Sequence, residues 1–308
     1  MGRKRKKSFG DPVDGILLLD KPAGITSNEA LQRARKLLGA RKAGHTGSLD
    51  PIATGLLPLC FGSSTRWSGY FLGSDKSYKA TVRLGETTET GDSEGAVTTR
   101  RPVNVSESHV CSILQEFVGT RLQIPPMYSA VKVDGQPLYK LARQGKEIAR
   151  EPREVTVHNL DFQSYDGRDI ELTLRCSSGF YVRTLATEIG ERLETGGHVI
   201  GLRRLGVAGL VVDQALTLDD LAKMPGSVER RACMGSVGEA LDHLPAVELS
   251  VDAAFYLCRG QSVRASNLPG EGSVRLYSSA TGFLGVGVVG PQGTVAPERL
   301  VSTGTQTD

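Results

Sequence analysis

The stretch Gly44-His45-Thr46-Gly47-Ser48-Leu49-Asp50-Pro51-Ile52-Ala53-Thr54-Gly55-Leu56-Leu57 restricts the fold of this chain more than any other. Glycine admits backbone angles and close approaches closed to other residues, and proline drives the residue before it out of the helical region toward an extended one. Asp50 is that preceding residue. Its carboxylate is therefore aimed by a turn instead of riding on a regular element, which is how a working acid is presented. His45, five residues upstream, can reach the same cleft from the other side of the turn. A Gly-Asp-Pro turn also occurs as a plain loop, so the rest of the chain has to decide between the two readings.

Around the turn the periodicities are clear. Ile16 to Leu19 is a short apolar run ending at Lys21-Pro22, the pattern of a buried strand leaving a core. A helix follows: Thr26 and Glu29 have capping-box spacing, Leu31, Ala34 and Leu38 line one face, Arg33, Arg35 and Lys36 are solvated, and Gly39 supplies the stop. Tyr78, Ala80, Val82 and Leu84 alternate with Lys79, Thr81 and Arg83, as do Ile170, Leu172, Leu174 and Cys176 with Glu171, Thr173 and Arg175, giving two half-buried strands. Leu185, Ile189 and Leu193 then repeat at helical spacing, so Arg183 falls at a helix start, where the macrodipole does not favour a cation and a charged partner is expected. Glu86, Glu89, Asp92 and Glu94, set among Gly, Ser and Thr between Gly85 and Gly95, suggest an exposed, mobile loop. After about residue 246, glycine-punctuated short strands at Ser273–Tyr277 and Phe283–Val289, and an edge strand from Gly293, suggest a small β-rich domain. The Gly-Thr-Gln-Thr-Asp end is expected to fray.

Composition narrows the class. The chain has 308 residues, enough for one large domain and a small one without covalent staples. Its five cysteines are scattered, with no C-x-x-C pair, which argues against a disulfide framework or a zinc site and for a reducing cytoplasm. No apolar run approaches the roughly 20 residues of a membrane span. The net charge is +3, and Arg3-Lys4-Arg5-Lys6-Lys7 alone carries five positive charges, leaving the remainder at −2. That run reads equally as a flexible arm on phosphates or as a merely soluble terminus. Between residues 121 and 153, seven basic residues face three acidic ones, a better footprint for a phosphate backbone. Met127 and Tyr128 in that segment serve either RNA or a small core.

The motif G-x-L-D-x-x-A-x-G-L-L, read at Gly47, Leu49, Asp50, Ala53, Gly55, Leu56 and Leu57, resembles the catalytic-aspartate motif of pseudouridine synthases, and the G-H-T-G-x-L-D-P form resembles the TruB-type tRNA pseudouridine synthases. Related synthases usually carry Arg before the Leu-Asp pair, where this chain has Ser48. Further segments are similar to that family in order, from about residue 13 to about 215: Gly15 to Lys21-Pro22 with Gly24, Ser74-Asp75-Lys76-Ser77-Tyr78-Lys79-Ala80, Gly179-Phe180-Tyr181-Val182-Arg183-Thr184, and His198 to Leu205. The resemblance implies an α+β fold with a mixed, mainly antiparallel sheet. It divides the chain into a flexible basic arm (1–10), a catalytic domain (11–245) with an RNA-clasping insertion at about 124–153, and a PUA-like RNA-binding domain (246–308). It implies isomerisation of the T-loop uridine at tRNA position 55, by a monomer that binds the tRNA T-arm without metal or other cofactor.

Isomerisation breaks the N-glycosidic bond at C1′, rotates the base and joins C5 to C1′. Asp50 fits either as nucleophile at C1′ or as base at the C2′ proton. Both roles need the ionised form, which an Arg within about 4–6 Å favours by about 1 to 3 pH units. Arg183 is the candidate, with a phosphate or Glu188 as its alternative partner. Tyr78 offers a ring for a flipped base, worth about 1–3 kcal/mol of stacking, and a hydroxyl for proton transfer. By resemblance Tyr181 and Leu202 line the base pocket and His45 helps fill the space the base vacates. The plain alternatives are ordinary core residues for Tyr181 and Leu202 and a turn cap for His45. Lys21 reads as structural or phosphate-contacting. Two rival functions stay open, an RNA-binding protein without chemistry and an N-glycosylase that would release free uracil.

Overall fold

The computed structural model describes residues 10–133 and 135–301. The basic run at 3–7 and the chain end beyond 301, where an arm and a frayed terminus were expected, lie outside them. The chain divides after Met234 into two compact units.

The first unit is built on a ten-stranded sheet. Its order is Leu216–Thr217, Gly15–Lys21, Thr54–Phe61, Gly197–Val207, Lys76–Leu84, Asp169–Cys176, Arg153–Tyr165 and Gly119–Gln123, with Ala43–His45 and Leu210–Val211 attached to the third and fourth strands. Two pairings are parallel and the rest antiparallel, the mixed, mainly antiparallel α+β arrangement expected. Tyr78, Ala80, Val82 and Leu84 face the core, as do Ile170, Leu172, Leu174 and Cys176. At about 1.5–3 kcal/mol for each large apolar side chain fully removed from water, this shared face is what holds the two neighbouring strands in register.

Thr26 caps the Ser27–Leu37 helix by accepting from the Glu29 N–H at 3.1 Å. The capping box is only half made, because the Glu29 carboxylate turns to Arg33 one helical turn on. Complete boxes form at Thr217/Asp220 and Ser236/Glu239. Leu185, Ile189 and Leu193 of the Val182–Arg192 helix and its end are buried as their spacing predicts.

Two expectations are corrected. The segment 85–95 is not an exposed loop: Glu86–Thr88 pairs with Val97–Arg100, and Asp92 is 2% exposed. Its acidic, glycine-rich composition imitates a solvated loop, but Asp92 accepts from the Thr90 hydroxyl and the Glu94 N–H and is thereby satisfied inside the protein. In the second unit the strand from residue 294 is not an edge. The order is Ala246–Leu249, Ser273–Ser278, Gly282–Gly290, Thr294–Leu300, Val263–Arg264, with the helix Val251–Leu257 packed on it. Val263–Arg264 covers only Val295 and Thr294, so Pro297, which has no N–H to donate, still sits where no ladder bond is needed.

Within 124–153 the chain forms a two-stranded hairpin, Lys132–Val133 with Gln136–Pro137, and a short helix Leu138–Ala142 whose Leu138 and Leu141 are buried.

Candidate active site

The turn carrying Asp50 is fastened at two points. The Leu49 N–H donates to the Ser27 hydroxyl at 2.7 Å, and that hydroxyl donates back to the Leu49 carbonyl at 3.0 Å. Lys21, fully buried, donates through Nζ to the carbonyls of Pro22 (2.8 Å), Ile25 (2.7 Å) and Pro51 (3.4 Å). Lys21 is thus structural, one of the two readings its sequence position allowed. Burial lowers its pKa to about 8.

Arg183, in the first turn of its helix, closes the site. Its Nε lies 2.9 Å from Asp50 Oδ2 and its Nη2 3.3 Å from Oδ1, the side-on geometry of a bidentate pair. The same Nε is 3.6 Å from Asp92 Oδ2, and the remaining donors reach the carbonyls of Thr90 (3.0 Å) and Tyr128 (2.7 Å). Glu188, the alternative partner, pairs instead with Arg121 at 2.6 Å. The side chains of Arg183 and Asp92 are 6% and 3% exposed against 37% for Asp50. Of the three charges, only Asp50 opens onto the cleft.

The offset expected from Arg183 is incomplete. Burial raises the Asp50 carboxyl above its ordinary range; Arg183 pulls it down, and Asp92 pushes it up again. Glu94 is raised as well, by burial and by both aspartates. The acid form of Asp50 is therefore closer than in an ordinary aspartate, even with the Arg183 cation beside it.

Tyr78 and Tyr181 both lie near enough to Asp50 to feel its charge, and burial raises both phenols. Tyr78 is nearly buried and Tyr181 half-buried. The Tyr181 backbone is bracketed by Gln123, whose amide accepts from its N–H at 2.8 Å and donates to its carbonyl at 3.1 Å. Leu202 sits opposite Ala80, two residues from Arg204 opposite Tyr78, on the same face of the sheet. It packs partly against the core and keeps some exposure. His45 ends its short strand with a buried Nδ1 that makes no hydrogen bond, so this atom does not cap the turn. Burial and Arg204 lower its pKa, leaving a neutral ring.

Sequence reasoning missed Asp92, Ser27, Gln123 and Arg204. Only Arg204 carried a signal, an adjacent arginine pair inside an otherwise apolar segment. Among the described residues no group of three His, Cys, Asp or Glu is placed to hold a metal ion.

Residues 35–182 match the N-terminal domain of TruB family pseudouridylate synthase, residues 183–243 the tRNA pseudouridylate synthase B C-terminal domain, and residues 245–301 the C-terminal domain of pseudouridine synthase II TruB. The chain is 50% identical to tRNA pseudouridine synthase B of Methylobacillus flagellatus, with 94% of this chain and 95% of that protein covered. It is 46% identical to the protein of the same name from Coxiella burnetii, with 96% and 97% covered. The chain belongs to the TruB family of pseudouridylate synthases. It is an isomerase of that family, and Asp50, Tyr78 and Tyr181 fall in the first matched domain, Arg183 and Leu202 in the second. The fold extends to more distant proteins. A Cbf5-Nop10-Gar1 complex contains a chain with TM-score 0.73 at 23% identity, covering 96% of this chain and 91% of that one. An archaeal box H/ACA sRNP Nop10-Cbf5 complex gives 0.69 at 20%, covering 97% and 92%. The C-terminal unit, a curled five-stranded sheet, is consistent with a PUA-like fold.

Proposed function

We propose that this chain isomerises uridine to pseudouridine in tRNA, at the T-loop uridine of position 55, with Asp50 acting at the ribose. The relatives named above are tRNA pseudouridine synthases. The observation that carries the assignment of roles is that one part-exposed carboxylate is held by a buried arginine beside two tyrosines. Asp50 attacks C1′ or takes the C2′ proton, and both routes use the same ionised oxygen at the cleft. Arg183 keeps that charge, Tyr78 supplies the ring under the flipped base, and Tyr181 and Leu202 border it. His45, neutral and with an idle Nδ1, suits the gap left in the RNA stack.

The basic segment 124–153 acts as a clasp on the T-arm, and the PUA-like unit extends the RNA contact. The protein works as a monomer in the cytoplasm, where its substrate is found; sedimentation of the free protein and cell fractionation test these two points. Among the described residues no helix is long and apolar enough to cross a membrane.

One assay separates this reading from its rivals. Unmodified tRNA transcript is incubated with enzyme, and pseudouridine and free uracil are both quantified. One pseudouridine at position 55 is expected, with none from Asp50→Asn, although that variant still binds tRNA. Free uracil would identify a glycosylase. Product from Asp50→Asn, or binding without product from the native chain, would remove Asp50 from the chemistry.

A further inference from the structure

Arg204 is 1% exposed, the most deeply buried arginine described, and no Asp or Glu pairs with it. Its Nε donates to the Leu56 carbonyl at 2.7 Å, while Nη2 is buried and makes no hydrogen bond. The side chain that its charge meets is Tyr78, directly across the strand pairing, with the guanidinium within interaction range of the phenol oxygen. An unsatisfied buried donor on an unpaired cation is costly for a fold, and its persistence calls for an explanation.

The surroundings rule out simple charge balance. Lys21, His45 and Lys76, from three different strands, all have their own charged forms disfavoured by Arg204. On the strand at its other side Leu174 sits opposite Tyr78 and Cys176 two residues along, opposite Lys76, its thiol pushed up to about 12 and so neutral, while Asp50 acts on the phenol from the turn. At the Tyr78 phenol itself burial, Cys176 and Asp50 disfavour the ionised form, and Arg204 is the cation that opposes them. The strand carrying Arg204 also lies in close backbone contact with the strand that leaves the Asp50 turn. Gly55 has φ +101°, and a Cβ there would lie 2.3 Å from the Arg204 carbonyl oxygen. A larger residue would force apart the strand that leaves the Asp50 turn and the strand that carries Arg204.

We propose that Arg204 is a positioning residue that acts through Tyr78: it fixes the phenol beneath the base and keeps a free N–H for negative charge building on the phenol oxygen during proton transfer. This rests on the isomerase reading. Once the base has rejoined C1′ through C5, the C5–H bond breaks, its electron pair forms the C5=C6 double bond, the N1=C6 π pair withdraws onto N1, and N1 takes a proton from water. The C5 proton passes to the Tyr78 oxygen, whose own proton leaves to water. Charge rises on that oxygen if the second proton departs first, and the idle Nη2 donor is where it is met.

The test compares Arg204→Gln and Arg204→Lys with the native chain, using full-length tRNA transcript and protein labelled with [13Cζ]tyrosine. The Tyr78 resonance is assigned by its absence from Tyr78→Phe. Single-turnover kcat is expected to fall about 100-fold in Arg204→Gln, the low end of the range for one preorganised donor or proton-transfer group. KM and the tRNA Kd should stay within about twofold, and Arg204→Lys, which keeps the cation, should recover most of the loss. The Tyr78 Cζ resonance should move in Arg204→Gln and, by less, in Arg204→Lys. It is read without turnover, so it distinguishes a wrong role for Arg204 from a wrong reaction, and Arg204→Lys carries the measurement alone if the glutamine variant does not fold. Equal kcat losses in the two variants, a loss carried by KM, or a stationary Tyr78 resonance would overturn the proposal.

Discussion

Two buried arginines serve the same site, one at Asp50 and one at Tyr78, and are treated in opposite ways. Arg183 is given two carboxylates and two carbonyls, whereas Arg204 is given one carbonyl and a phenol, with no carboxylate paired to it. The first is a compensated charge that fixes the ionisation of an acid. The second is uncompensated and stays available for charge that is absent from the resting protein. A buried ion is thus no single device; what it does is read from which of its donors remain empty.

The contrast can be broken most severely at Asp50. Asp50→Asn should lower single-turnover product formation by about 10^4-fold or more, the upper range for a positioned acid or base. It should nevertheless be at least as stable as the native chain at neutral pH by urea titration. The folded Asp50 carboxyl titrates above its unfolded value, so the stability tied to this group is present at low pH and declines as pH rises through that raised value. Arg183→Met should do the reverse in stability. It strands Asp50 and Asp92 without their cation, and a loss of about 3–5 kcal/mol in urea is expected together with loss of activity. A Met variant as stable as the native chain would mean that the ion pair is not structural.

Asp92→Asn sharpens the comparison more gently. Removing a like charge beside Asp50 should move the acid limb of the kcat profile to lower pH, because Asp50 then ionises more readily. An unmoved or raised limb would show that Asp92 does not act on Asp50 through charge. The smallest effect belongs to Arg203, next to Arg204 but on the opposite face, where it forms a part-exposed bidentate pair with Asp20 at 2.7 and 3.0 Å. Arg203→Gln should cost no more than about 1 kcal/mol by thermal denaturation, as expected of a screened pair.

The division between Arg183 and Arg204 also marks what the sequence made legible. Strands at 76–84 and 169–176 and the helix at 182–192 were readable because one face of each is wet, so apolar residues recur at the structural period. The strand Gly197–Val207 was not. Glycines at 197, 201 and 206 and two arginines erase its alternation, and it is buried between two neighbours. Asp50 and Arg183 could be paired in advance because a carboxylate in a Gly-Pro turn and a cation at a helix start each want a partner. Asp92 was hidden by a composition that normally means solvent, and Ser27 and Gln123 work through backbone contacts that leave no pattern in a single chain.

Lys21 gives the Asp50 turn a built-in reporter. An amine with a pKa of about 8 is substantially neutral, and hence nucleophilic, under mild conditions, yet this one has no exposed surface. Acylating reagents should therefore modify it only in the instants when the carbonyls of Ile25 and Pro51 let go, and the labelling rate becomes a clock for how often the turn comes undone.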